Sequence, residues 1–290
     1  MANLISPSEL AALTASDSSV RVLDVRWRLD RPDGRPEYLA GHLPGAVFVD
    51  LDRDLAHHGG PEEGRHPLPT REQLEEAARR WGVRDGDTVV VYDDWDSIAA
   101  ARAWWLLTRS GVADVRVLDG GLRAWTAAGL PLEQSEVRSE RGDVALHEIE
   151  DGIATIDDAA AWPATGVLLD VRAPARYRGE VEPMDPAAGH IPGAVNLPAP
   201  AYLDDGRFQV PERLRETFAA VGATPGVPVA AYCGSGITSA HTALAGELAG
   251  IRIAVYPGSW SQWSNTPGRP VATGASPAGD GADVSATAGG

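Results

Sequence analysis

The chain contains the stretch AGHLPGAV at residues 40–47 and nearly repeats it, as AGHIPGAV, at residues 188–195. Three further pairs of similar segments occur in the same order along the two halves of the chain. They are VLDVR at 22–26 and LLDVR at 168–172, VVVYD at 89–93 and VAAYC at 229–233, and GGLRAW at 120–125 and GSWSQW at 258–263. Four matched pairs in one order indicate a duplicated domain, since the spacing is too long for a solenoid repeat.

Each copy alternates short β-branched runs with longer segments of helical composition. In the second copy we predict strands at residues 166–171, 227–232 and 252–256, and helices at 212–221 and 238–249. This alternation predicts α/β domains, each with a parallel sheet flanked by helices on both faces. Ligands of such sheets bind at the carboxyl ends of the strands.

Composition sets the expected domain boundaries. We predict a first domain at residues 1–134, a polar linker at 135–152 and a second domain at 153–273. Residues 274–290 are small and polar. They have too few apolar side chains to offset the entropy of ordering, so this tail is predicted to be disordered.

Charge and cysteine content exclude several classes of partner. The net charge of −16 argues against binding to nucleic acid or to an anionic membrane surface. No run is long enough for a membrane helix, and the N-terminus lacks the basic and apolar regions of a signal peptide. A single cysteine excludes an internal disulfide framework, and we expect a cytoplasmic protein. A small anion can still bind where arginines and backbone amides override the overall field.

The loop YCGSGITS, at residues 232–239, lies between a predicted strand and a predicted helix. A helix N-terminus presents unpaired amides and the positive end of the helix dipole, which favour the thiolate form of Cys233. Gly234 and Gly236 let the backbone curl into a nest of amides for an anion. A lone cysteine is usually a small buried apolar residue. The Gly-x-Gly context at this junction favours a nucleophile instead.

On these motifs the chain resembles the rhodanese superfamily over nearly its whole length, about residues 4–273. The loop after Cys233 is similar to that of the 3-mercaptopyruvate sulfurtransferase branch, whereas the thiosulfate branch carries basic residues at the positions of Gly234 and Ser235. The resemblance implies two tandem rhodanese-like domains, of which the second is catalytic. The first copy has Asp93 where the repeat predicts its cysteine.

The mechanism implied by the resemblance is double displacement. The Cys233 thiolate takes sulfur from a small anionic donor, thiosulfate or 3-mercaptopyruvate, and forms a persulfide. An acceptor such as cyanide, a small thiol or thioredoxin then removes the sulfur. Neither a metal nor an organic cofactor is required. The choice between the two donors, the physiological acceptor and the oligomeric state stay open.

The resemblance also assigns the substrate contacts. Arg176 matches the arginine that binds the donor's anionic group. The expected loop contacts are Gly234, Ser235, Gly236, Ile237 and Thr238. Relatives of the mercaptopyruvate branch often carry a second arginine after a Glu-Pro pair. Here Glu182 and Pro183 are followed by Met184, which weakens the mercaptopyruvate assignment.

A Ser-His-Asp relay is thought to protonate the leaving group in the mercaptopyruvate branch. The matching residues are Ser235, His42 and Asp33, with Asp30 as the second choice for the acid. His190 occupies the same place as His42 in the second copy, and a histidine retained twice favours a scaffold role. Both roles for His42 stay open.

Three alternative assignments fit these residues less well. A phosphatase of the same fold needs a Cys-x5-Arg loop, whereas Ser239 stands six positions after Cys233. A non-catalytic rhodanese module usually lacks the cysteine. A metal site at His57, His58 and His66 is not predicted, because the surrounding glycines give no fixed ligand geometry.

Overall fold

The computed structural model describes residues 3–16 and 19–280. The strands are β1 Leu4–Ile5, β2 Val20–Asp24, β3 Val47–Phe48, β4 Thr88–Tyr92, β5 Asp114–Leu118, β6 Val167–Asp170, β7 Val195–Asn196, β8 Leu203–Asp204, β9 Arg207–Phe208, β10 Val229–Tyr232 and β11 Ile253–Val255. The α-helices are α1 Pro7–Ser16, α2 Arg35–Ala40, α3 Leu51–Asp54, α4 Arg71–Arg80, α5 Ile98–Arg109, α6 Gly121–Ala127, α7 Ile156–Ala161, α8 Pro174–Tyr177, α9 Pro211–Ala219, α10 Ile237–Ala249 and α11 Ser259–Asn265. Within these ranges, none of the helices has the length and apolar character needed to span a bilayer.

Each copy of the repeat forms its own parallel sheet. The first sheet has the strand order β1-β5-β4-β2-β3, and the second has the order β11-β10-β6-β7. An isolated parallel bridge from Ile153 to Val255 extends the second sheet where β1 extends the first. Strands β8 and β9 form a separate antiparallel hairpin. The predicted α/β architecture is confirmed, and the predicted strands and helices of the second copy agree with the observed ones to within about two residues at each end.

Alternate residues of the central strands lie in different cores, because successive side chains of a strand point to opposite faces. In β4, Val89 and Val91 belong to one buried cluster, while Val90 and Tyr92 belong to another. The strands are apolar on both faces, as expected of a parallel sheet covered by helices on both sides. Helices α4 and α5 cover one face of the first sheet, and α1 and α6 cover the other.

One of these cores is shared by both domains. Helix α5 of the first domain packs against α10 of the second, and their apolar residues form a single buried cluster. Cys233 belongs to this cluster, whereas its neighbour Tyr232 faces the opposite side of the second sheet. The strand alternation therefore points the cysteine towards the first domain.

A buried ion pair explains why the Asp-x-Arg motif occurs in both copies. Nη2 of Arg26 donates to Asp24 at 2.6 Å and to the carbonyl of Gly41 at 3.2 Å. Arg172 makes the same bonds to Asp170 and to the carbonyl of Gly189, at 2.6 and 2.5 Å. In each domain the motif fixes the Gly-His-x-Pro-Gly turn to the end of a central strand.

The segments outside the two repeats are partly fixed to the domains. The linker, residues 135–152, contains no helix or strand, but Val144 and Leu146 are buried against the first domain. The prediction of a disordered tail is corrected for residues 274–280. Gly274 donates to the carbonyl of Arg178 at 2.9 Å, and the carbonyl of Pro277 accepts the amide of Gly193 at 2.6 Å. These backbone bonds help to offset the entropy of ordering residues 274–280, which composition does not reveal. Residues 281–290 of the predicted tail lie outside the described residues.

Candidate active site

Cys233 occupies the loop between β10 and α10. The strand ends at Tyr232 and the helix begins at Ile237, so only four residues make the connection. The backbone amide of Gly236 donates to Sγ of Cys233 at 3.1 Å. Gly236 has φ of 88°, and a Cβ there would collide with the carbonyl of Pro257. A glycine at this position therefore lets the loop turn its amide towards the sulfur.

Helix α11 holds the other side of the same loop. The hydroxyl of Ser259 accepts the amide of Cys233 at 3.1 Å and donates to the carbonyl of Tyr256 at 2.8 Å. The amides of Trp260 and Ser261 donate to the carbonyls of Cys233 and Gly234 at 3.0 and 2.9 Å. Ser259 has a left-handed backbone, with φ of 53°. Ser259 could not be predicted from the sequence, because only its contact across the loop shows that it positions the nucleophile.

Arg176 lies beside the loop, and two buried carboxylates orient it. Its Nε and Nη2 donate to Glu182 at 3.2 and 2.6 Å, and Nη2 also lies 3.4 Å from Asp185. A Cβ placed on Gly234 would be 3.3 Å from Nη1 of Arg176. The predicted donor-binding arginine is therefore adjacent to the residue that follows the nucleophile.

A second guanidinium reaches the same place from the first domain. Nη1 of Arg65 donates to Asp185, and the backbone amide of Arg65 donates to Oγ of Ser261 at 3.1 Å. A Cβ placed on Gly234 would be 3.2 Å from Nη2 of Arg65. Arg65 could not be predicted from the sequence, because nothing in the glycine-rich segment around it indicates that it contacts the other domain.

Arg102, on α5 of the first domain, is fully buried against the active-site loop. Its Nη1 donates to the carbonyl of Gly236 at 3.2 Å, and its Nε and Nη2 donate to carbonyls of Leu55 and His66 at 3.3 and 3.0 Å. Burial lowers the pKa of Arg102 to about 10, while the charge of Cys233 raises it. A lone arginine inside the apolar run 98–107 was the sequence signal that could have marked it.

Of the two roles left open for His42, the geometry favours the scaffold role. The ring is fully buried and stacks on Tyr38 at 4.1 Å, and its Nδ1 lies 2.8 Å from the Tyr38 carbonyl. His190 makes the same stack on Tyr177 and the same 2.8 Å bond to the Tyr177 carbonyl. The two histidines therefore do the same structural work, and His42 makes no contact with the Cys233 loop in the described part of the chain.

Among the described residues, the Asp33 carboxylate forms no hydrogen bond with His42 or Ser235. This carboxylate accepts the amide of Arg35 at 3.1 Å at the surface of the first domain, where it lines a cavity of about 630 Å³. Asp30, the second choice, forms an exposed ion pair with Arg28. Ser235 does lie in the loop, largely buried, and its hydroxyl makes no hydrogen bond within residues 3–16 and 19–280.

In the first domain, the loop that corresponds to the Cys233 loop wraps around the carboxylate of Asp93. Oδ1 of Asp93 accepts the amides of Trp95 and Ser97 at 2.8 and 2.9 Å, and Oδ2 accepts the amide of Ala100 at 2.9 Å. Asp93 is fully buried, and burial raises its pKa to about 6. The first copy therefore has an amide nest of its own, and the Asp93 carboxylate fills it.

The predicted substrate contacts of the loop are contiguous, since Ile237 and Thr238 form the first turn of α10 directly after Gly236.

His57, His58 and His66 form no metal centre. The described residues hold no group of three or more histidine, cysteine, aspartate or glutamate side chains placed to bind a metal ion.

Comparison with known proteins identifies the family. The family described as "Rhodanese-like domain" matches residues 6–128 and again residues 155–266. The chain belongs to the rhodanese family. This rhodanese is 47% identical over 275 residues to a protein of Mycobacterium tuberculosis assigned as the thiosulfate sulfurtransferase SseB, with 93% of this chain and 97% of that protein covered.

Two further relatives carry the other donor in their names. A Pseudomonas aeruginosa protein assigned as a 3-mercaptopyruvate sulfurtransferase is 45% identical, with 94% of this chain and 99% of that protein covered. The crystal structure of the 3-mercaptopyruvate sulfurtransferase SseA from Escherichia coli matches with a TM-score of 0.81 at 31% identity, covering 90% of this chain and 99% of that one. The rhodanese is therefore a sulfurtransferase, as predicted, and the alternatives of a non-catalytic module and a phosphatase are not supported.

Proposed function

We propose that this rhodanese transfers sulfane sulfur from a small anionic donor to a thiophilic acceptor through a persulfide on Cys233. The observation that carries the proposal is the 3.1 Å hydrogen bond from the Gly236 amide to Sγ of Cys233, at the N-terminus of α10. Amides directed at the sulfur stabilise negative charge both on the thiolate and on the persulfide. The chain has no other cysteine.

In the first half-reaction the Cys233 thiolate attacks the outer sulfur of the donor. With thiosulfate, the sulfur–sulfur bond of the donor breaks and sulfite leaves with the electron pair. With 3-mercaptopyruvate, the carbon–sulfur bond breaks and pyruvate leaves as its enolate, which takes up a proton. Arg176 binds the oxyanion of either donor, and the amides of the Cys233 loop surround the transferred sulfur.

In the second half-reaction a nucleophilic acceptor attacks the terminal sulfur of the persulfide. Cyanide yields thiocyanate, whereas a thiolate yields a persulfide of the acceptor, and in both cases the Cys233 thiolate is restored. A small thiol or thioredoxin in the cytoplasm fits this chemistry, because the enzyme depends on a single cysteine that must stay reduced between turnovers.

Intact-mass measurement tests the proposal directly. Wild-type protein treated with thiosulfate or 3-mercaptopyruvate is expected to gain the mass of one sulfur atom, and cyanide is expected to remove it. Cys233→Ser should gain no mass and should have less than about one percent of the wild-type turnover, with an unchanged circular dichroism spectrum. An unchanged mass in wild-type protein that turns over would exclude the persulfide.

A further inference from the structure

Arg65 and Arg176 place two guanidinium groups at the active site, whereas its loop sequence has no basic side chain. The thiosulfate branch, according to the resemblance above, has basic residues at the positions of Gly234 and Ser235. In this chain both positions are uncharged. Both guanidiniums nevertheless lie where a side chain of residue 234 would begin, at 3.2 and 3.3 Å from its Cβ position. The absence of a side chain at Gly234 makes room for them.

Carboxylates hold the two arginines from the side away from Gly234. Asp185 accepts from Nη1 of Arg65 and lies 3.4 Å from Nη2 of Arg176, while Glu182 binds Nε and Nη2 of Arg176. Asp185 and Glu182 have almost no exposed side-chain surface. Each guanidinium therefore has fixed acceptors on one edge and unused N–H groups on the other.

The unused groups are the ones next to the loop. Within residues 3–16 and 19–280, Nη2 of Arg65 and Nη1 of Arg176 make no hydrogen bond, and Nε of Arg65 is buried without a partner. An unpaired donor in a partly buried place favours an anionic acceptor. Two such donors from different segments converge beside Gly234, as binding an oxyanion of two or more oxygens requires.

The segment that carries Arg65 is fixed to the second domain. The backbone amide of Arg65 donates to Oγ of Ser261, and Nε2 of Gln262 donates to the carbonyl of Glu62 at 2.9 Å. A Cβ on Gly64 would lie 2.7 Å from the carbonyl of Gly258, so the two backbones are in close contact. The position of the Arg65 side chain is thus a property of the interface between the domains.

We propose that Arg65 is a donor-binding residue, which with Arg176 binds the oxyanion of the sulfur donor and replaces the second arginine that is missing at Met184. This inference rests on the proposed function. The shared ligand chemistry is a small oxyanion, either the sulfonate-like group of thiosulfate or the carboxylate of 3-mercaptopyruvate. Since Coulomb attraction scales with ligand charge, the contribution of Arg65 is larger for dianionic thiosulfate than for the monoanion.

Steady-state kinetics with each donor, with cyanide as the acceptor, test the proposal. Arg65→Ala is expected to raise KM for thiosulfate by roughly 10- to 100-fold, the range for loss of one charge-assisted hydrogen bond, and to raise KM for 3-mercaptopyruvate by less. Arg65→Lys should recover part of the loss. Single-turnover discharge of preloaded Cys233 by cyanide should be unchanged in both variants. Arg178→Ala is the matched control, because Arg178 forms an exposed ion pair with Glu180.

A second comparison separates direct binding from an effect of Asp185. Removing Arg65 leaves the Asp185 carboxylate with one partner fewer, and this charge could itself repel the donor. Arg65→Ala combined with Asp185→Asn is expected to keep the raised KM. Adding Met184→Arg to Arg65→Ala should lower the raised KM. Met184 lines the same cavity of about 320 Å³ as Arg65 and is 48% exposed, so an arginine there can replace the missing charge.

Two results would overturn the inference: an unchanged KM for both donors in Arg65→Ala, or a return to the wild-type KM in the double variant with Asp185→Asn. Failure of the proposed function has a different signature, since wild-type protein would then acquire no sulfur at any donor concentration.

Discussion

Nη1 of Arg102, on α5 of the first domain, donates to the carbonyl of Gly236 at 3.2 Å, in the loop of the second domain whose amide contacts the Cys233 sulfur. Every acceptor of this guanidinium is a backbone carbonyl among the described residues. A fully buried charge without a carboxylate is costly unless another charge compensates it. The negative charge on Cys233, as thiolate or persulfide, is placed to do so.

Replacing Arg102 by methionine should therefore slow the reactions of Cys233. Without the guanidinium, the attraction between its charge and the negative charge on the sulfur is lost. We expect alkylation by iodoacetamide at pH 7 to slow about tenfold, corresponding to roughly 1.4 kcal/mol. Arg102→Lys keeps the charge but loses most of the carbonyl bonds, so it should retain most of the rate. The alkylation rate is measured by intact mass. Equal rates for Arg102→Met and Arg102→Lys would show that the charge of Arg102 does not control the reactivity of Cys233.

Asp93→Cys is expected not to create a second sulfur-transferring site. The amides of Trp95, Ser97 and Ala100 form a nest there, but the side chain at this position is fully buried and Asp94 lies beside it. The negative charge of Asp94, which already raises the pKa of Asp93, also disfavours a thiolate at this position. In a Cys233→Ser background, the new cysteine should be alkylated at least tenfold more slowly than Cys233 in wild-type protein. Rapid alkylation or acquired sulfur mass would contradict this prediction.

His241 should make the protein acid-sensitive. It is fully buried on α10, and burial lowers its pKa to about 3 from 6.5. Between these values the unfolded chain binds one more proton than the folded chain. The free energy of unfolding therefore falls as the pH drops, by at most about 1.4 kcal/mol per pH unit. The stability that comes from keeping His241 neutral in the folded chain is complete above pH 6.5 and is lost progressively towards pH 3.

His241→Gln should flatten the acid limb of the stability profile, because glutamine does not titrate. Urea unfolding measured at half-unit steps from pH 4 to pH 7 would show the difference in slope. His58→Gln is the control, since His58 is exposed. Parallel profiles for wild-type protein and His241→Gln would mean that His241 is not buried in its neutral form.

The segment at residues 274–280 should contribute measurably to stability. A chain that ends at Thr273 loses the backbone bonds from Gly193 to Pro277 and from Gly274 to Arg178. At about 1 kcal/mol for each bond, we expect a loss of roughly 2 kcal/mol in the free energy of unfolding. A chain that ends at Asp280 is the reference, so that the comparison isolates these seven residues. Equal denaturation midpoints for the two chains would refute the prediction.

The sequence was sufficient for the features that depend on local pattern. The repeated motifs predicted two domains, the alternation of strands and helices predicted parallel sheets, and the Gly-x-Gly segment after a strand predicted the Cys233 loop. Each of these follows from short-range periodicity or from a strand-to-helix junction. For the same reason Arg176, which lies in the same domain as Cys233, could be predicted from its local context.

Contacts between domains could not be predicted in this way. Arg65 and Arg102 belong to the first domain and reach the loop because the Arg65 segment packs on α11 and α5 packs on α10, and no local pattern encodes these contacts. For His42 the repeated motif left a catalytic and a scaffold role open, and only the three-dimensional structure shows that its ring stacks on Tyr38. The tail was misjudged because composition does not reveal the backbone acceptors that the folded domain provides.

The closed nest around Asp93 makes the two halves of the chain unequal. Because a carboxylate occupies the amides of the first loop, that copy has no room for a transferable sulfur. Its helix α5 instead packs on α10 and supplies Arg102 to the loop of the second copy. The halves are no longer interchangeable: an isolated second domain would keep its nucleophile but lack both Arg65 and Arg102, and a gene encoding two second domains would lack them as well.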